Sequence, residues 1–198
     1  CSVSISPSEL AKQCELIIIS VSRDTDVLEI VNEMKTGINA NSIVIDTSTV
    51  SANTAKEAAN LLRNVNSNFL DGPVSGGVEG AKNATLAMMV GGNEKILDKA
   101  RPILNVIAKN IVHIGANGSG QATKAVNQIM AAGINQAVTE ALAFGEAMGL
   151  PMDKVIDIVS AGAASNWFLD HRGKTMLSGE FKPGFKLGLH QRDLSICQ

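Results

Sequence analysis

Residues 121–148, QATKAVNQIMAAGINQAVTEALAFGEAM, run for 28 positions without a proline and are rich in alanine. They predict a single helix about 42 Å long at about 1.5 Å of rise per residue. Upstream the pattern is different. The apolar run inside ELIIISVS (15–22) suits a strand buried on both faces. Asp24 can cap a helix in which Val27, Ile30, Val31 and Met34 recur at helical spacing, and the strand SIVID (42–46) follows. A second unit reads as a helix from Ser51 through Leu62, a strand around NFLDGPV (68–74), then TLAMMVGG (85–92), a helix carrying Ile96, Leu97, Ala100 and Leu104, and a strand NIVHIG (110–115). Short apolar strands alternating with helices predict a parallel sheet covered by helices. Beyond the long helix, Pro151 suits the first position of a helix with Met152, Val155, Ile156 and Val159 on one face, and SNWFLDHRGKTML (165–177) reads as another. The expected class is α/β followed by all-α, divided near Ala116-Asn117-Gly118 into residues 1–116 and 117–198.

Composition narrows the function classes. The 198 residues are 45% hydrophobic and 18% charged, with 18 glycines and a mean hydropathy of +0.14, an ordered globular balance. Lys and Arg total 17 against 19 Asp and Glu, a formal charge of -2, so nothing favours a phosphate backbone and nucleic acid is excluded as a partner. No apolar run reaches the length of a membrane span, and the start CSVSISPSEL lacks a basic and then apolar leader. The expectation is a soluble cytoplasmic protein, with the mitochondrial matrix as the alternative. Cys1, Cys14 and Cys197 are odd in number and far apart, and His113, His171 and His190 show no metal spacing, so neither a disulfide framework nor a metal site is expected. An opening at Cys1 without Met, and a stop at SICQ just after a polar motif, read as a fragment at both ends.

Four polar segments could carry chemistry. DGPVSGGVEGA (71–81) sets a serine and three glycines directly after a strand; glycines let backbone N–H groups converge on an anion, although the same pattern also makes a plain turn. GSGQATKAVNQ (118–128) opens the long helix. Lys124, Asn127, Gln128 and Asn135 share one face of it, among positions that are mostly Ala, Ile, Met and Val. A lysine buried there needs a carboxylate neighbour or an anionic ligand, while one left in solvent needs neither. DTST (46–49) lies at the carboxyl end of a strand, where open α/β sheets bind ligands, and equally reads as a cap for the helix at Ser51. HQRDL (190–194) reads as a solvated charge cluster. No G-x-G-x-x-G follows a strand, and no G-x-S-x-G occurs.

In this order, the four segments resemble the β-hydroxyacid dehydrogenases, the family of 3-hydroxyisobutyrate dehydrogenase and tartronate semialdehyde reductase. DGPVSGGVEGA is similar to the family's substrate-binding D-x-P-V-S-G-G-x-x-G-A, and GSGQATKAVNQ to its catalytic G-x-G-x-x-x-K. The resemblance implies a partial Rossmann-type dinucleotide-binding domain at 1–116, without its first strand and glycine-rich loop. It also implies a truncated helical substrate and dimerisation domain at 117–198, like the C-terminal domain of 6-phosphogluconate dehydrogenase. By resemblance, Lys124 is the catalytic acid/base. Ser75, Gly76 and Gly77 hold the substrate carboxylate, with Asn127 and Gln128 orienting the substrate. Val21, Asp26, Thr49 and Arg192 line the cofactor, NAD or NADP.

Two departures stand out. Where many members carry asparagine four residues after the lysine, this chain has Gln128 preceded by Asn127, a form closer to tartronate semialdehyde reductases. The family's K-D-L is here Arg192-Asp193-Leu194. The implied activity is hydride transfer between NAD(P) and a small β-hydroxy acid or its semialdehyde, in a homo-oligomer. The alternatives are a decarboxylating dehydrogenase of the 6-phosphogluconate type, or a non-catalytic dinucleotide-binding or dimerisation module.

Overall fold

The structure, a computed structural model, describes residues 3–181 and 184–197; Cys1 lies outside them. The chain divides into two compact units, one of residues 1–126 and 191–198 and one of residues 127–190.

The first unit begins with helix α1 (Pro7–Gln13), where Pro7 presets the first turn and Ser6 Oγ accepts the Glu9 N–H at 3.2 Å. The parallel run then follows, with β1 (Leu16–Ile19), α2 (Asp24–Met34), β2 (Ile43–Asp46), α3 (Ala52–Arg63) and β3 (Asn68–Asp71). β1 pairs with β2 and β2 with β3, all parallel, so that Asp46 and Asp71 stand side by side at the carboxyl end of the sheet. Ile17 and Ile19 are buried but Ile18 is 41% exposed, where the apolar run predicted burial on both faces. β1 is the outermost strand of the described sheet and pairs with β2. Asp24 does not cap its own helix. It stands in the first turn of α2, and its carboxylate takes the Ser51 N–H at 2.9 Å and the Thr54 hydroxyl at 2.6 Å, bracing the start of α3.

After β3 the direction changes. β4 (Val74–Ser75), α4 (Gly77–Lys82) and β5 (Leu86–Gly91) follow, and β5 runs antiparallel to β4 and meets β3 antiparallel at Asp71 and Gly91. A parallel return needs a crossover of about a dozen residues, usually helical. Here that stretch is taken up by a hairpin strand and a six-residue helix, so the chain turns back on itself. α5 (Glu94–Leu104) restores the crossover, and β6 (Ala108–Gly115) pairs parallel with β5. The expected parallel sheet is thus present in β1–β3 and in β5–β6, joined by one antiparallel step.

Side chains alternate across this sheet. Val44 packs with Val27, Val31 and Leu62 on one face, and Ile43 and Ile45 with Leu70, Met88, Leu97 and Leu104 on the other.

The long helix α6 (Ser119–Ala147) starts in the first unit and continues through the second. Within the second unit its later turns supply Val138 and Leu142, which pack with Ile156 of α7 (Met152–Ser160) and Leu169 of α8 (Trp167–Leu177). That core is small, and Phe144, Met148, Ile158 and Phe181 stay exposed. α9 (Leu187–Ile196) ends the described chain. Among the described residues no helix is long and apolar enough to cross a membrane.

Candidate active site

The first turn of α6 is pressed against the ends of β3 and β5. At Gly120 a Cβ would stand 2.4 Å from the Met89 carbonyl oxygen and 2.6 Å from that of Asp71. At Gly118, with φ +94°, it would lie 3.0 Å from the Ala52 carbonyl, and at Gly91 2.6 Å from the Asp71 carboxylate. The glycines of the G-x-G motif therefore clear space for the helix, and they let its N–H groups reach Asp71. The fully buried Asp71 carboxylate accepts the Gly118 N–H at 2.8 Å and the Gln121 N–H at 3.2 Å. A carboxylate at a helix N-terminus satisfies free N–H groups and faces the positive end of the dipole. Burial pushes the Asp71 carboxyl above its ordinary range, against the pull of those N–H bonds. Its neighbour Asp46 is also pushed up by burial, and Asp46 Oδ2 has no hydrogen-bond partner.

This seating fixes Lys124. The side chain is buried, with the residue 8% exposed, and burial lowers its pKa while the Asp193 carboxylate raises it. Asp193 belongs to α9, is itself 2% exposed, and takes the Arg192 Nη2 at 2.6 Å and Nε at 3.1 Å. HQRDL is therefore not a solvated cluster. Its aspartate is buried and its charge favours the ammonium of Lys124, and its arginine also donates to the Ser22 carbonyl in the loop after β1. That loop is tied to the next one, because the Val21 N–H donates to Ser48 Oγ at 2.9 Å. The loop after β2, with half-buried Thr49, is held in turn by Gln121.

The structure thus gathers Val21, the loop of Thr49, Arg192 and Lys124 into one connected cluster in the first unit. Asp26 is not joined to it; its carboxylate pairs with Arg23 at 3.1 Å. Ser75, Gly76 and Gly77 form the end of β4 and the start of α4, with Gly76 and Gly77 at φ +129° and +59°, conformations open to glycine. Asp71, four residues before Ser75, ties this segment to α6. Asn127 and Gln128 lie in the second unit, where Asn127 Nδ2 donates to Gln128 Oε1 at 2.7 Å. Sequence reasoning passed over Asp193, Gln121 and Ser48. The R-D-L position beside Arg192 was the signal for the first; spacing carries none for the other two.

The residues of this cluster are compatible with a dinucleotide. Val21 and Thr49 follow the carboxyl ends of adjacent parallel strands, the ligand edge of an open α/β sheet. They offer an apolar side chain and a hydroxyl on loops tied through Ser48 and Gln121 to the helix that bears the buried lysine. Among the described residues no group of three or more His, Cys, Asp and Glu could hold a metal ion.

Comparison with known proteins shows the family. Residues 1–115 match the model of the NAD binding domain of 6-phosphogluconate dehydrogenase, and residues 118–198 that of the NAD-binding domain of NADP-dependent 3-hydroxyisobutyrate dehydrogenase. The chain belongs to the β-hydroxyacid dehydrogenase family, NAD(P)-dependent oxidoreductases acting on CH–OH groups. It is 35% identical over 199 residues to 2-hydroxy-3-oxopropionate reductase of Escherichia coli, covering 98% of this chain and 68% of that one. To a probable 3-hydroxyisobutyrate dehydrogenase of Mycobacterium tuberculosis it is 39% identical over 163 residues, 78% of this chain and 55% of the other. A solved Mycobacterium tuberculosis 3-hydroxyisobutyrate dehydrogenase with L-serine superposes with a TM-score of 0.89 at 32% identity, covering 98% of this chain and 69% of that one. The chain spans about two thirds of the length of the Escherichia coli reductase.

Proposed function

We propose that this chain carries the catalytic lysine and the substrate loop of an NAD(P)-dependent dehydrogenase for a small β-hydroxy acid or its semialdehyde, of the 3-hydroxyisobutyrate or tartronate semialdehyde kind. The observation that carries the reading is Lys124, buried beside Asp193 on a helix seated at the ligand edge of the sheet. The cofactor supplies or accepts hydride at its nicotinamide ring. Lys124 Nζ takes the hydroxyl proton during oxidation and returns it to the carbonyl oxygen during reduction, a role in which a positioned group contributes about 10²–10⁴-fold. Ser75 and the amides of Gly76 and Gly77 hold the carboxylate, and Asn127 and Gln128, about one turn along α6 from Lys124, orient the substrate. Val21, Thr49 and Arg192 face the cofactor, and Asp26, paired with Arg23, is assigned to it by resemblance alone. We divide the chain accordingly, with the cofactor part at 1–116 and the substrate part at 117–198. We place the enzyme in the cytoplasm, and the exposed Phe144, Met148 and Ile158 support a homo-oligomer.

The carboxylate clamp is tested with a β-hydroxy acid and its methyl ester on the full-length enzyme. Losing charge-assisted hydrogen bonds worth about 1.5–3 kcal/mol raises KM for the ester roughly 10- to 100-fold. Equal kcat/KM for acid and ester removes the clamp, and no turnover with any β-hydroxy acid removes the reading.

Asp193 sets the pH range. Burial lowers the Lys124 pKa and Asp193 opposes that, so Asp193→Asn lowers it further. The ammonium that protonates the carbonyl oxygen then loses its proton at lower pH. The basic limb of kcat/KM for reduction is expected to move toward acid, and a limb that stays in place separates Asp193 from Lys124.

A further inference from the structure

The loop after β2 has no strand to pair with over Ser48–Val50, and its backbone groups need partners. They find them on α6. Gln121, 2% exposed, accepts the Val50 N–H at 3.2 Å through Oε1 and donates from Nε2 to the Ser48 carbonyl at 2.8 Å. The two residues it grips flank Thr49. Its own backbone N–H is held by the Asp71 carboxylate, so the side chain projects from an anchored turn. Ser48 extends the connection, accepting the Val21 N–H on Oγ at 2.9 Å and donating its N–H to Asp46 Oδ1 at 3.0 Å. One carboxamide thus links the loops after β1 and β2 to the helix that bears Lys124 three residues further on.

We infer that Gln121 is a positioning residue that holds the Ser48-Thr49-Val50 loop in its cofactor-binding conformation, in register with Lys124. This inference rests on the proposed function for what the loop binds. The geometry needs an acceptor and a donor on one planar group at one reach. Methionine keeps the length and loses both bonds. Asparagine is one methylene short. An ionised glutamate accepts from Val50 but sets a negative oxygen against the Ser48 carbonyl, whereas a protonated one restores the donor.

The test combines three measurements on the full-length protein. Amide exchange of the 47–51 segment is followed without cofactor, NADH and NADPH binding is followed by fluorescence titration, and KM is measured separately for cofactor and hydroxy acid. In Gln121→Met the segment should exchange at least tenfold faster, and the dissociation constant for the reduced cofactor should rise about tenfold. The hydroxy acid KM should stay within twofold. In Gln121→Glu, cofactor affinity relative to the unsubstituted protein should recover as the pH is lowered from 8 to about 4.5, through the range in which a buried carboxyl takes up its proton. Unchanged exchange at 47–51, an equal rise in both KM values, or a Gln121→Glu ratio flat with pH would overturn the assignment. Should Gln121→Met fail to fold, the Gln121→Glu series decides alone. Exchange and cofactor titration need no turnover, so absence of hydroxy acid oxidation would count against the proposed function and leave Gln121 to be judged by the other two readouts.

Discussion

Lys124→Met in the full-length enzyme is expected to lower kcat by two to four orders of magnitude while NADH or NADPH still binds with near-normal affinity. The substitution keeps the length and most of the volume of the side chain and removes the ammonium, so the packing around α6 has little reason to change. What is lost is the group that delivers a proton to the oxygen at the carbon receiving hydride, and proton transfer by a placed side chain accounts for about 10²–10⁴-fold. Asp193 adds a second consequence. With the lysine gone, its buried carboxylate, 2% exposed and paired with Arg192, loses the favourable field of the ammonium, and removing a counter-charge from a buried charge is costly. Adding Asp193→Asn to Lys124→Met should therefore regain stability without regaining rate. A thermal melt and a steady-state rate on the two variants separate the effects, and a Lys124→Met enzyme within tenfold of normal turnover would end the acid/base assignment.

The long helix was readable almost to its ends, because 28 residues without proline leave few other structures open. The cap at Ser6-Pro7, the start of α3 at Ser51 and the crossover helices were equally local, each set by residues within a turn or two. Other features depended on distant partners. Nothing in TLAMMVGG says that β5 runs against β3; the sense follows from the short α4 and the hairpin strand before it. The G-x-G at 118–120 carries a resemblance to a catalytic motif, and in space Gly120 makes room for a carbonyl on each of two strands and Gly118 for one at the start of α3. Asp193 reads as solvated in HQRDL because α9 lacks a clean apolar stripe. The charge it acts on, Lys124, is far away in sequence, and a pairing made only in space leaves no periodic trace. Gln121 shows the same limit, since its loop partners lie about seventy residues upstream.

Gly120→Ala and Gly133→Ala make the same change in the same helix and should act with opposite sign. At Gly133 a Cβ meets nothing within 4 Å, so alanine gains helix propensity, roughly 1 kcal/mol of added stability. At Gly120 the Cβ would press on the Met89 carbonyl oxygen at 2.4 Å and the Asp71 carbonyl oxygen at 2.6 Å, and both belong to sheet backbone that cannot rotate away. The helix start must lift. Overpacking of this kind costs about 1–3 kcal/mol, and lifting the turn also weakens the Asp71 bonds to the Gly118 and Gln121 N–H groups, a capping loss of about 0.5–2 kcal/mol. The expected loss is therefore about 1.5–5 kcal/mol for Gly120→Ala, read as a lowered denaturation midpoint. Activity should fall more steeply than stability, because the same displacement moves Lys124 off the proton path and draws Gln121 away from Ser48 and Val50. Two alanine variants with equal midpoints would show that the first turn of α6 is not held against the sheet by its glycines, and the seating of the lysine would need another explanation.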